Sequence, residues 1–228
     1  MHEITPGKWY SGVDPGEVLR YSGVPDANAC GDKWVEEAVL AVNQVGQAAS
    51  PKRVTRECAF SSSDGLCRLD SLTFRSVSLA EHLKGCDRAV LFAATLGSGV
   101  DTLIRRCSAV SMSRAVILQG AAAALTELYC DVQCESLEGA YAQAGYYLRP
   151  RFSPGYGDFP LECQQTVIEL LGAYKYAGIA VSSGGQMTPM KSVTAVIGLS
   201  RERGSAEGSC ASGKCAGCPN TSCPFRRA

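Results

Sequence analysis

Between Arg151 and Gln165 the chain reads Arg-Phe-Ser-Pro-Gly-Tyr-Gly-Asp-Phe-Pro-Leu-Glu-Cys-Gln-Gln, and the first half of this stretch cannot be regular structure. Pro154 has no backbone donor, fixes its own φ and biases Ser153 toward an extended conformation. Gly155 and Gly157 flank Tyr156, so the backbone is free to take positive φ on both sides of one aromatic ring. Such a turn presents peptide groups and a tyrosine outward. The second half predicts a helix start, with Asp158 as cap, Pro160 in the first turn and Glu162 near the positive end of the helix dipole. An arginine, an exposed peptide ribbon, an aromatic ring and a helix N-terminus within a dozen residues suit a small zwitterionic ligand carrying a carboxylate and a flat base. The same composition also describes an ordinary surface turn.

The rest of the chain sets the frame for this turn. Its 228 residues suffice for one large domain, or one domain with an appendage. Lys+Arg and Asp+Glu both number 22, and this balance gives no support for nucleic-acid or anionic-membrane binding. No apolar run reads as a membrane span and no signal-peptide pattern opens the chain, so a cytoplasmic protein is expected. Twelve cysteines in a reducing compartment read as thiols or metal ligands rather than disulfides. Eight are scattered, several among apolar residues, and read as small buried hydrophobes.

Periodicity predicts the elements. A helical turn is expected around Gly16–Tyr21. A helix follows from Asp32, with Trp34, Ala38, Val39, Val42 and Val45 recurring at three and four, ending before Gly46. Arg53–Phe60 and Leu66–Phe74 form a hairpin turning at residues 61–65. A short helix spans Leu79–Leu83 with Ser78 as cap. The apolar run in Asp87–Ala94 is a buried strand, and Val100–Cys107 is helical. The longest helix covers Ser113–Glu135, with a stripe of Leu118, Ala121, Leu125, Leu128 and Val132. Its opposite side carries Gly120, Ala123, Ala124, Glu127 and Asp131, where small residues permit a close approach at whose edge Glu127 stands. Beyond the turn, the helix after Asp158 runs to about Ala173, Gly184-Gly185 is a loop, and Ser192–Leu199 is an apolar strand. From Arg201 the composition shifts to Gly, Ser, Ala and Cys, dividing the chain into a domain over 1–204 and a tail over 205–228.

The tail reads Cys210-x4-Cys215-x2-Cys218-x4-Cys223-Pro224. Four thiols this close can surround one metal centre. The first three match the plant-type ferredoxin spacing, and the Pro after the fourth is a bacterial-ferredoxin feature. Four cysteines equally suit a structural zinc. Iron–sulfur cluster and zinc both remain open.

Three segments together carry a family likeness. Arg151-Phe-Ser-Pro-Gly-Tyr156 resembles the Arg-x-Ala-Pro-Gly-Tyr motif of the reactivation domain of cobalamin-dependent methionine synthase. Met187-Thr-Pro-Met-Lys-Ser-Val-Thr194 resembles that domain's Met-x-Pro-x-x-Ser-Val-Ser. Leu125-Thr-Glu127 resembles the helix that supplies its glutamate. The resemblance covers about residues 78–199. It implies an α+β fold, a twisted antiparallel sheet with helices. It also implies that the protein binds S-adenosylmethionine over the cobalamin held by a partner. An electron reduces cob(II)alamin to cob(I)alamin, which then takes the sulfonium methyl group. In the roles so implied, Arg151 grips the ligand carboxylate, Glu127 the amino group, and the peptide groups of Ser153 and Gly155 the adenosyl moiety. Tyr156 lies near the methyl group and the corrin.

The likeness has departures. Phe152, Ser153 and Gly157 stand where the family has Pro, Ala and Pro, and the family's N-terminal aspartate and late tyrosine have no counterpart. Arg149 competes with Arg151 for the carboxylate. No Asp-x-His-x-x-Gly pattern is present, so the corrinoid belongs to another protein, either methionine synthase or a different corrinoid protein. Its electron comes from a donor such as flavodoxin or ferredoxin, or through the cysteine tail. Two alternatives stand beside this reading: a small-molecule S-adenosylmethionine methyltransferase, which lacks support from any Gly-x-Gly-x-Gly loop, and a non-catalytic metal module that docks on a corrinoid protein.

Overall fold

The computed structural model describes residues 9–24 and 31–202. In chain order the elements are α1 (Pro15–Tyr21), α2 (Asp32–Ala48), β1 (Lys52–Ser63), β2 (Leu66–Leu69), β3 (Leu72–Arg75), α3 (Val77–His82), β4 (Cys86–Thr95), α4 (Ser98–Ser108), α5 (Met112–Ala142), β5 (Tyr147–Leu148), α6 (Cys163–Leu171), α7 (Ala173–Ala177), β6 (Ala180–Val181), β7 (Met187–Thr188) and β8 (Ser192–Ser200). The fold is α+β, as expected. The described residues pack as two compact units, one of 9–24, 31–51 and 96–130, the other of 52–95 and 131–202. The Cys210–Cys223 tail, and with it the 204/205 boundary, lies outside the described residues.

The first unit is helical. Asp14 caps α1, its carboxylate accepting from Gly16 N–H at 2.9 Å. Helix α2 buries Ala38, Ala41, Val42 and Val45, while Trp34 and Val39 are exposed. It continues past Gly46 to Ala48, and the glycine there serves a close contact, since a Cβ would lie 2.5 Å from the Tyr10 ring. At Gly120 the small-residue side of α5 meets the chain itself. A Cβ on Gly120 would lie 2.5 Å from the Val18 carbonyl and 2.2 Å from Ser22 Oγ, so the close approach that Gly120 permits is that of α1. Helix α5 is long and apolar enough by composition to cross a membrane, contrary to expectation, but 61% of its most apolar window is buried within the protein.

The second unit is built on a six-stranded sheet of order β3-β2-β1-β4-β8-β5, every neighbouring pair antiparallel. This is the antiparallel arrangement that the resemblance implied, and not the alternating parallel sheet of a doubly wound methyltransferase. Central β4 is buried continuously from Ala89 to Thr95, which explains its unbroken apolar run. The predicted hairpin is there, but its second arm is split in two: Asp70 adopts φ 49° and turns β2 back into β3. One face of the sheet, with Cys58, Phe60, Leu91, Ala93 and Val196, shares a core with Leu79 of α3, Val167, Ile168 and Leu171 of α6, Ala173 and Ala177 of α7, and Phe159 of the segment before α6. Five of the seven described cysteines are buried. Burial pushes the Cys58 thiol up to about 12 and raises Cys67, Cys86 and Cys163, the behaviour of inert core thiols.

Candidate functional site

The distinctive turn leaves from the edge of the sheet. After β5, Arg149 N–H donates to Gly198 O at 2.9 Å, and Phe152 exchanges both backbone hydrogen bonds with Val196, at 3.0 and 2.8 Å. The chain then departs from β8. Tyr156 N–H bonds Ser153 O (3.0 Å), Phe159 N–H bonds Tyr156 O (2.9 Å) and Gly155 N–H bonds Phe159 O (2.8 Å), closing a compact loop. Gly155 and Gly157 have φ of 91° and 53°, the left-handed conformations that the two glycines suggested. Tyr156 is half exposed, and its ring meets Phe152 edge-on at 5.9 Å. Phe152 stacks on Phe159 at 6.4 Å, and Phe159 on Phe74 at 4.7 Å. An aromatic column therefore runs from the core to the exposed tyrosine.

Arg151 belongs to the extended segment that carries Phe152, and alternation sends the two side chains to opposite faces. Phe152 joins the α6 side of the core. Arg151 is buried, its side chain 4% exposed, with Nη2 2.7 Å from Asp131 Oδ1, whose side chain is 22% exposed. A guanidinium this deep needs a carboxylate, and Asp131 supplies one. Glu127 lies one helical turn earlier on α5, half-buried, in the part of the helix that belongs to the first unit. Asp131 is thus an acid that the structure sets against Arg151. The i,i+4 spacing of Glu127 and Asp131 made both visible in the sequence, and the structure pairs Asp131 with Arg151. Arg149, the other candidate, lies within 3.4 Å of the Lys84 carbonyl and 3.5 Å of Ser200 Oγ.

Helix α3 holds the turn from below. Asp158 caps α3 rather than its own following helix. Its carboxylate accepts from Ser76 Oγ (2.7 Å), Val77 N–H (2.7 Å) and Ser78 N–H (2.9 Å). The hydrogen bond from Ser76, followed by those from the two backbone groups, holds the Asp158 carboxyl well below the usual carboxylate range. The cap of α3 on its own side chain is Ser76, accepting from Leu79 N–H, and not Ser78. Helix α6 begins at Cys163 after a turn through Pro160–Glu162, and no side chain caps it. At the other end of α3, His82 Nε2 is 2.7 Å from the Pro150 carbonyl and its ring is 4.9 Å from that of Phe152.

Beside the turn lies a cavity of about 420 Å³, between Leu161, Gln164 and Gln165 on one side and Val181–Gly185 on the other. Leu161 separates it from the turn, within van der Waals reach of Gly155. The buried Gln164 ties its walls together, donating to Gly185 O at 2.7 Å and accepting from Thr194 Oγ1 at 3.4 Å. In the second motif Pro189, Ser192 and Thr194 are buried, while Thr188 and Met190 are exposed. Ser192 Oγ donates to Pro189 O at 2.6 Å and lies 2.8 Å from Thr95 Oγ1. The hydroxyls of Ser192 and Thr194 bond within the protein at the start of β8. Among the described residues no group of three His, Cys, Asp or Glu side chains is placed to hold a metal ion.

No family model matches the sequence, and no curated protein does. Among solved structures, the crystal structure of the MetH reactivation domain bound to AdoHcy is similar, with a TM-score of 0.58 at 17% identity. The match covers 74% of this chain and 66% of that one, so the chain spans just under two thirds of its length. The likeness is one of fold: the α+β arrangement with its antiparallel sheet is similar to that of the MetH reactivation domain.

Proposed function

We propose that the protein binds S-adenosylmethionine and supports the reductive methylation of cob(II)alamin held by a separate protein in the cytoplasm. The observation that carries this reading is the buried Arg151–Asp131 pair at the base of a glycine-flanked, tyrosine-bearing turn, within the fold of a domain crystallised with AdoHcy. A guanidinium beside a carboxylate is complementary to an amino-acid head group. Arg151 would take the ligand carboxylate and Asp131 the ammonium group, with Glu127 one turn away as the second acid implied by the resemblance. The ligand carboxylate must share the guanidinium with Asp131, whose bond uses Nη2. Since Gly155 N–H is already bonded to Phe159, the turn would offer the adenosyl group the carbonyl of Gly155 and the peptide of Ser153.

Tyr156 is exposed at the tip of the turn, where a corrin on a partner would come to rest. The chemistry belongs to the substrates. One electron converts cob(II)alamin to cob(I)alamin, and the cobalt nucleophile takes the methyl group, leaving S-adenosylhomocysteine. The protein contributes position. The partner is the cobalamin-binding domain of methionine synthase or another corrinoid protein. The electron arrives from a donor such as flavodoxin or ferredoxin, or through a cluster on Cys210, Cys215, Cys218 and Cys223; zinc at those residues would leave only the external route.

Calorimetric titration with S-adenosylhomocysteine tests the binding step. Saturable one-to-one binding that Arg151→Ala weakens supports the site. Absence of binding to either S-adenosyl ligand would reduce the protein to a docking module on the same fold.

A further inference from the structure

We propose that α3 is a two-ended clamp that sets the conformation of the Pro150–Asp158 segment, with His82 and Asp158 as its positioning residues. The two contacts lie at opposite ends of one six-residue helix and grip opposite ends of one segment. At the N-terminal end, Asp158 satisfies Val77 and Ser78 N–H and the Ser76 hydroxyl. At the C-terminal end, His82 Nε2–H donates to the carbonyl of Pro150, the residue before Arg151. Between these points the segment is pressed onto the helix. A Cβ on Gly157 would fall 2.6 Å from Ser78 Oγ, and the imidazole lies 4.9 Å from the Phe152 ring on which Tyr156 rests. Gly157 is therefore required twice, for its φ of 53° and for this contact. The loop's own bonds, Gly155 to Phe159 and Tyr156 to Ser153, close only the tip. They reach back only to Ser153, and the clamp adds the registration of the whole segment, from Pro150 to Asp158, on α3. Helix α3 is itself anchored in the core by the fully buried Leu79, so a displacement at either grip is passed to the turn rather than absorbed.

The functional part of this inference rests on the S-adenosyl reading, and the structural part does not. The test is amide hydrogen exchange on the full chain, following Gly155, Tyr156 and Phe159, whose N–H groups form the loop's bonds, with Val90 and Leu91 of β4 as the reference. His82→Phe keeps a ring against Phe152 and removes the donor, whereas His82→Gln keeps a donor. His82→Phe should speed exchange at the three turn amides about two- to tenfold, as expected for losing one hydrogen bond, without change in β4. His82→Gln should restore much of the protection. Asp158→Asn should give the same local signature from the other end, and it decides the matter if His82→Phe does not fold. S-adenosylhomocysteine affinity should fall in step with turn exchange across the three variants. Unchanged turn exchange, or equal acceleration in β4, would overturn the clamp. If the unsubstituted protein binds no S-adenosylhomocysteine, the ligand reading fails alone, and the exchange data still decide the clamp.

Discussion

Truncating Arg151 tests structure and function together. With 4% of its side chain exposed, 2.7 Å from Asp131, this arginine cannot be removed without consequence for folding, although a surface turn would have tolerated the change. Breaking a fully buried ion pair costs about 3–5 kcal/mol, because the remaining charge is stranded. Asp131 keeps 22% exposure and can recover part of its hydration, so Arg151→Ala should cost about 2–3 kcal/mol. For a chain of this size that lowers the thermal midpoint by roughly 5–10 °C. The assay is a double-mutant cycle by thermal and denaturant unfolding with Arg151→Ala, Asp131→Ala and the double variant. Removing Asp131 relieves the stranded charge, so the double variant should be less destabilised than the sum of the singles, by about 1 kcal/mol or more. In parallel, S-adenosylhomocysteine affinity should fall about ten- to a hundredfold in Arg151→Ala, with partial recovery in Arg151→Lys, which keeps the charge and loses the fork. Additivity within about 0.5 kcal/mol would refute the coupling. Unchanged affinity would refute the placement of the ligand.

Four further outcomes follow from the geometry. Asp131→Asn should weaken S-adenosylhomocysteine binding about tenfold and Glu127→Gln by less; equal or tighter binding in Asp131→Asn would return the ammonium contact to Glu127. Gly120→Ala should destabilise the protein despite a gain in helix propensity of about 1 kcal/mol, since the new methyl meets the α1 backbone at 2.5 Å; a raised denaturation midpoint would contradict that packing. Burial first, and the nearby Arg149 charge after it, lower the His82 pKa from 6.5, although the Pro150 carbonyl opposes them, while Asp158 is lowered from 3.8. The unfolded chain therefore takes up each proton first, and stability should decline as pH falls below about 6.5 and again below about 4. His82→Gln should abolish the upper decline and Asp158→Asn flatten the lower one, and a wild-type midpoint constant from pH 7 to 5 would exclude the His82 contribution. Anaerobic purification should give a brown protein bleached by dithionite and altered by Cys218→Ser if the tail holds an iron–sulfur cluster; a colourless protein with one zinc per chain would end the relay through the tail.

Much of the fold was legible because local rules and tertiary context agreed. The apolar run of β4 is continuous because the strand is buried on both faces, and the glycines around Tyr156 announced positive φ because little else adopts it cheaply. Element ends were less legible. Gly46 read as a stop and Gly120 as part of a face open to a close approach by an unspecified group, and both serve contacts with distant parts of the chain, which periodicity does not encode. Asp158 sits where a helix cap should, and its carboxylate turned instead to α3, because α3 had the unsatisfied N–H groups within reach.

The site divides along the same line. The sequence by itself determined that a turn of this chemistry exists, that Arg151 stands at its base and Tyr156 at its tip, and that acids occupy one side of the long helix. Only the tertiary structure decided that Arg151 is buried, that Asp131 is the acid paired with it, and that His82, distant in the chain, supports the turn through Pro150. The reason is physical. Backbone conformation is governed by neighbours in sequence, which Pro154, Gly155 and Gly157 declare directly. The pairing of a buried charge is governed by which opposite charge the packed chain brings within about 3 Å, and that depends on strand alternation and helix register acting together.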